Sequence, residues 1–406
     1  MPARLWSRLP RLLLFLLLTV APVPGFAQSQ PSQVERGEYL ARAGDCISCH
    51  TAQGGQPFAG GARLDTPFGY MLSPNITPDP ETGIGRWSNA DFYRALHDGV
   101  NKRGQDLYPT MPYDFYTKVT RADIDALWAY LRTVKPVKNA VVVNHLDFPF
   151  NVRLSMGVWR ELYFKEGAYK PNPAQSASWN RGAYLVEGLG HCSDCHSPRN
   201  LMGGIEKSKQ FSGALIDGWF ALDLTSDVAT GLGSWSVDEL ATYFKTGVAK
   251  DKTTTLGPMA EVIRNSLSYL TDDDRRAMAE YLKTLPPDST LKTGRVAPDP
   301  TTARGAQLYT DNCSGCHQAR GRGVPGVFPP LAGNPVVKAA DPNNILKVVD
   351  RGIKARNGFI AMPAFNIQLT DQQVAEIANY VRTSWGNNAP PNATPGMVAK
   401  LRAGPN

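Results

Sequence analysis

Six cysteines occur in this chain, in three copies of one pattern: Cys46-Ile47-Ser48-Cys49-His50, Cys192-Ser193-Asp194-Cys195-His196 and Cys313-Ser314-Gly315-Cys316-His317. Two thiols three positions apart can each add to a vinyl group of one porphyrin, and the adjoining imidazole then lies under its iron as the fifth ligand. The pattern reads as covalent attachment of haem c at three sites. A disulfide framework also uses cysteines in even number, but it gives no reason for a His after every second Cys. A structural zinc site needs four ligands, whereas each motif supplies three, with no Cys or His partner at a repeated offset. Attachment leaves no cysteine over.

The other face of each iron needs a ligand as well. The stretches after the first two motifs agree at a single offset of 148 residues: Thr77 with Thr225, Asp79 with Asp227, Gly85 with Gly233, Trp87 with Trp235, Gly99 with Gly247, and Met111 with Met259. After the third motif the corresponding residue is Met362, in Ala361-Met362-Pro363-Ala364-Phe365. Met is ordinarily a core filler, and Met71, Met156, Met202, Met278 and Met397, which lack any repeated context, read as packing residues. Met111, Met259 and Met362 read as axial ligands opposite His50, His196 and His317. A thioether opposite His stabilises reduced iron and closes it to substrate, which suits an electron carrier. The other histidines, His97, His145 and His191, receive no ligand role. His97 reads as a surface residue because the second copy has Lys245 in its place; His191 adjoins Cys192, where it tunes that site or faces solvent.

Repeated elements must position these groups. Each motif follows the same opening: Arg36-Gly37-Glu38-Tyr39-Leu40, Arg181-Gly182-Ala183-Tyr184-Leu185, and Arg304-Gly305-Ala306-Gln307-Leu308. Each opening reads as a helix whose Gly admits close approach of a second one. Each copy ends on a helix-start signature at Thr120, Thr271 or Thr370, with an acceptor three residues later at Asp123, Asp274 or Gln373. Ten residues past each Thr stands Tyr130, Tyr281 or Tyr380, followed by a cation at Arg132, Lys283 or Arg382. The repeat predicts a mainly α fold in three tandem modules, over residues 28–143, 179–285 and 302–387. Residues 144–178 form an unusually apolar connection expected to pack within the chain, 286–301 a linker, and 388–406 a poorly ordered tail.

The first 27 residues read as a cleaved export signal: Arg4, Arg8 and Arg11, then an apolar run over Leu12–Val20, then Gly25-Phe26-Ala27. Export fits haem attachment outside the cytoplasm. Losing these three arginines lowers a formal charge that starts at +7. So mild a balance is no argument for nucleic acid.

The whole chain after the signal resembles the triheme cytochrome c subunit of bacterial membrane-bound dehydrogenases. The resemblance rests on Gly44-Asp45-Cys46 with Cys49-His50, Asn75-Ile76-Thr77-Pro78-Asp79, Leu107-Tyr108-Pro109-Thr110-Met111-Pro112-Tyr113, His191-Cys192 with Cys195-His196, and Met362-Pro363-Ala364-Phe365. It implies three class I cytochrome c-like domains with three covalently bound haem c groups. It also implies a separate catalytic subunit carrying a flavin, pyrroloquinoline quinone or molybdenum and oxidising an alcohol, aldehyde, sugar or sugar acid. In some complexes a small third subunit joins it. Electrons would pass to ubiquinone or another respiratory acceptor, at the periplasmic face of the cytoplasmic membrane, with peripheral attachment. Two other readings compete: a free periplasmic electron shuttle, which has little use for the apolar connection, and a self-contained haem enzyme, which needs an open iron position.

Overall fold

The computed structural model describes Met1, residues 31–288 and residues 300–404. Beyond Met1, the export signal read over 1–27 lies outside the described residues, as does most of the linker. The first module runs from α1 (Gln33–Ala43) through the one-turn α2 (Cys46–Cys49), the hairpin β1 (Arg63–Thr66) and β2 (Gly69–Leu72), α3 (Asn89–His97) and α4 (Tyr113–Tyr116) to α5 (Arg121–Leu131). The connection supplies β3 (Asn144–Leu146), which extends that hairpin to an antiparallel three-stranded sheet with Tyr70 opposite His145, and then α6 (Ser155–Tyr163). The second module has α7 (Ala177–Tyr184), α8 (Cys192–His196), the hairpin β4 (Ala214–Ile216) and β5 (Trp219–Ala221), α9 (Val237–Thr246), α10 (Met259–Asn265) and α11 (Asp272–Leu282). The third has α12 (Pro300–Asn312), α13 (Ser314–His317), α14 (Pro335–Lys338), α15 (Asn343–Arg351), α16 (Asp371–Thr383) and α17 (Pro395–Ala403). The fold is mainly α.

In every module the opening helix crosses the closing one: α1 on α5, α7 on α11, α12 on α16. Glycine makes the crossings possible. A Cβ at Gly37 would stand 1.9 Å from the Ala126 carbonyl oxygen, one at Gly182 1.9 Å from that of Ala277, and one at Gly305 2.2 Å from that of Glu376. The closing helices start where the Thr residues predict. Thr120, Thr271 and Thr370 accept from the backbone N–H of Asp123, Asp274 and Gln373 at 3.3, 3.1 and 3.3 Å.

The first two modules share one apolar core, in which Leu40, Ile124, Leu127, Leu185, Leu189 and Leu282 are sealed from water. The third builds its own around Tyr309, Leu346, Val374 and Ala378. The connection both packs inward and faces out. Met156 and Trp159 on α6 bury against Met71, Tyr108 and Tyr113, while Leu154, Val158 and Leu162, one turn apart, are exposed along its other side. Met202 is also exposed, and it meets Trp159 through its carbonyl rather than by side-chain packing.

The tail corrects the reading of disorder. Thr394 caps α17, Val398 is fully buried, and Arg402 bonds to Asp350 at 2.7 Å and Asp371 at 2.6 Å. Composition rich in Pro hid a helix that packs Met397, Val398 and Leu401 against the third module's core. No helix among the described residues is long and apolar enough to cross a membrane.

Candidate haem-attachment sites

Each motif forms about one helical turn after its opening helix, separated from it in the second module by a π-helical turn over Leu185–Leu189, and all six thiols are free of disulfides. In the first two modules the residue before the motif takes the left-handed conformation, Asp45 at φ 49° and His191 at φ 33°, which turns the chain out of the preceding helix.

The three histidines share one arrangement. His50 Nδ1 lies 2.8 Å from the Pro74 carbonyl oxygen, His196 Nδ1 2.6 Å from that of Leu222, and His317 Nδ1 3.1 Å from that of Pro329. A carbonyl only accepts, so Nδ1 carries the proton and Nε2 keeps its lone pair for a metal. Burial lowers the pKa of all three and favours the neutral, ligating form. Pro74 and Leu222 stand at equivalent positions of the 148-residue offset. That offset could have revealed these acceptors in the sequence, although a backbone carbonyl leaves no trace in residue type.

In the third module an apolar cleft is lined by Cys313, Cys316, His317 and Met362, with Tyr309 and Leu331 among its other walls. The chain thus brings this His and Met to one cavity that also holds both cysteines. Met111 and Met259 are half-buried and pack against the shared core, as Cys46 and Cys192 also do. Among the described residues the two buried polar atoms without a hydrogen-bond partner, the Tyr113 hydroxyl and Asp114 Oδ1, come just after Met111. Orphaned polar atoms at this place fit a site completed by a bound group with a polar edge.

The first two sites lie side by side. The segment after each Met packs beside the motif of the other module: Tyr116 meets the His191 ring edge-on and Phe115 at a tilt, and Asn265 of α10 donates to Ser48 Oγ at 2.8 Å. Between them, Lys118 pairs with Glu187 at 2.8 Å, and Glu187 also accepts from the Tyr281 hydroxyl.

Among the remaining histidines, His97 corrects its reading. It is buried rather than on the surface, stacked on Tyr93 and bonded through Nδ1 to Asp98 at 2.6 Å, because α3 turns it inward under the connection. His145 stacks on Tyr70 within the sheet and contacts the Val142 carbonyl. His191 is half-buried, its ring meeting those of Tyr116 and Phe115 at the contact of the first two modules.

A covalently held haem on a mainly α chain defines a cytochrome c. The family model for cytochrome c matches residues 34–135 and 302–385. The chain is 39% identical over 415 residues to the cytochrome c subunit of a quinone-dependent alcohol dehydrogenase from Gluconacetobacter polyoxogenes, covering 96% of this chain and 88% of that protein. It is 39% identical to the gluconate 2-dehydrogenase cytochrome c subunit of Pantoea cypripedii, over 92% of this chain and 90% of that one. To a subunit of the nicotinate dehydrogenase of Pseudomonas putida it is 42% identical over 95% of its own length, but it spans only 33% of that longer protein. The chain belongs to the family of cytochrome c subunits of bacterial dehydrogenases, which carry electrons on covalently bound haem c.

Proposed function

We propose that the chain holds three haem c groups, on Cys46 and Cys49, Cys192 and Cys195, and Cys313 and Cys316. His50, His196 and His317 serve as proximal ligands, and Met111, Met259 and Met362 as distal ones. One observation carries this reading: at all three motifs His Nδ1 is tied to a backbone carbonyl, which orients Nε2 as a ligand. Bound there, haem iron takes up and gives up one electron at a time. The protein's part is to exclude water with apolar walls, to fix each imidazole tautomer, and to hold the first two sites together through a shared core.

The electron donor is a separate dehydrogenase subunit, with flavin, pyrroloquinoline quinone or molybdenum, acting on an alcohol, aldehyde, sugar or sugar acid. The acceptor is ubiquinone or another respiratory carrier. The chain works after export, at the periplasmic face of the cytoplasmic membrane and peripherally bound. The outward apolar side of α6 supports a fixed seat in a complex over a free shuttle, since isolated soluble proteins seldom expose such a stripe.

The test is to produce the full chain in a host that attaches haem c and to measure its intact mass and ferric spectrum. Three added haems and a wholly low-spin spectrum are expected. A catalytic subunit that co-purifies should reduce all three on addition of its substrate. Fewer than three attached haems, or a substantial high-spin fraction, rules the assignment out.

A further inference from the structure

The third module docks on the second through α15, and the contact ends on the segment that holds the second motif's histidine. Asn344, only 4% exposed, accepts from the Phe220 N–H at 2.7 Å and donates from Nδ2 to the Phe220 carbonyl at 2.8 Å. One side chain thereby satisfies both backbone groups on the outer edge of β5, as a further strand would. Next to it Asn343 donates to the Gly218 carbonyl at 2.6 Å, and Lys347 Nζ stands 4.7 Å from the centre of the Trp219 ring. Two residues beyond Phe220, the Leu222 carbonyl takes the 2.6 Å bond from His196 Nδ1. On the same helix Ile345, Val348 and Val349 line the third module's cleft. α15 therefore touches one site directly and the other through a two-residue span of backbone.

Resting on the reading of three attached haems, we propose that Asn344 is a positioning residue for the second site. Through β5 it fixes the Leu222 carbonyl that orients His196, so that docking of the third module sets the reduction potential of the second haem. A strong Nδ1–H bond to a carbonyl makes the imidazole a better donor and favours ferric iron. Releasing Phe220 loosens β5, weakens that bond and raises the potential at this site alone. His50 and His317 answer to Pro74 and Pro329, which lie on other segments.

The experiment is a spectroelectrochemical titration of the full-length holoprotein and its Asn344→Ala and Asn344→Leu variants. The leucine variant keeps buried volume where the alanine variant fails to fold. Met259→His, which replaces the thioether by imidazole, marks the second haem by lowering its potential. The expected result is an upward shift of that one potential in both Asn344 variants, with the other two unmoved. Asn343→Ala, which removes a docking bond without touching Phe220, should leave all three in place. Unchanged potentials in both Asn344 variants, a common shift of all three, or the same shift in Asn343→Ala would overturn the proposal. Peptide masses separate this failure from that of the underlying reading: a haem absent from Cys192 and Cys195 in the unsubstituted protein sinks both, whereas an attached haem with unmoved potential sinks this inference alone.

Discussion

Tyr39 and Asp274 belong to different modules, yet the Tyr39 hydroxyl donates to Asp274 Oδ2 at 2.6 Å and accepts from the Thr271 N–H at 3.1 Å. The contact is returned: Tyr184 donates to Asp123 Oδ2 at 2.6 Å and accepts from the Thr120 N–H at 3.1 Å. Each Asp also holds the arginine of its own opening helix, Arg36 on Asp123 at 2.7 Å and Arg181 on Asp274 at 2.8 and 2.7 Å. Two like surfaces thus meet reciprocally, as in an isologous dimer joined into one chain. The third module has Gln307 where Tyr39 and Tyr184 stand, and its Arg304 pairs with Glu376 one turn further along α16. Without that Tyr it has no part in the exchange and docks instead through α15.

Removing the exchange should loosen the first two modules. Tyr39→Phe and Tyr184→Phe each delete a hydrogen bond to a charged acceptor, for an expected loss of about 1.5–3 kcal/mol apiece. Denaturant unfolding followed by circular dichroism measures it. A double variant that unfolds at the wild-type midpoint would show that the contact contributes nothing.

The same cluster predicts a pH dependence. Burial raises the Asp274 pKa, but the bonds from Arg181 and Tyr39 more than offset this, and the net shift is downward. A depressed carboxylate stabilises the fold above its unfolded pKa and loses that contribution as pH falls through the folded value. The stabilisation should therefore be intact at neutral pH and fade below about pH 4. Asp274→Asn should be less stable than wild type at pH 7 and converge with it in acid. Stability curves that stay parallel down to low pH would contradict this.

Much of this architecture was legible because it is local and repeated. The Cys and His of each motif, the Thr caps and the Arg-Gly openings sit at fixed spacings, and a repeat seen three times separates signal from chance. The partners of Asp123 and Asp274 were not legible. Three residues after Thr they read as helix-start acceptors, whereas their carboxylates are taken up by Arg36, Tyr184, Arg181 and Tyr39. A tyrosine on an amphipathic helix reads as packing whether or not its hydroxyl crosses a module boundary. His97 was misplaced for a related reason: comparison with Lys245 assumed that equivalent positions have equivalent exposure, but His97 is buried against Tyr93 and Asp98, whereas Lys245 reaches out to Asp272 at the surface.

Glycine at the crossings offers a sharper test. The nearest atom a new Cβ would meet at Gly37, Gly182 and Gly305 is a backbone carbonyl oxygen, which cannot turn aside as a side chain does. Gly→Ala at each position should separate the helix pair and cost at least the roughly 1–3 kcal/mol typical of overpacking. Intact mass after expression should show incomplete haem attachment in the affected module. Full attachment and an unchanged melting temperature would mean the helices can slide apart freely.

Arg382 closes the third module in a way its relatives do not. Arg132 and Lys283, at the matching positions, reach the carbonyls of Gly85 and Gly233 from the surface. Arg382 is fully buried, and it donates to the carbonyls of Pro390, Val337 and Ala340 and to the Asn392 side chain at 3.0–3.2 Å. Desolvation without a bonded carboxylate lowers its pKa to about 10, still charged at neutral pH. Arg382→Met keeps the stem but strips these acceptors of their donor, at about 1–3 kcal/mol for a stranded buried group. Lysine cannot span the same acceptors with one ammonium, so Arg382→Lys should also destabilise. Because the first two modules have a separate core, the damage should stay local. Proteolysis should open the segment carrying α17 while the first two modules remain protected, and the second haem's potential should follow as α15 loosens. An Arg382→Met protein as resistant to protease as wild type would show that the buried guanidinium is dispensable.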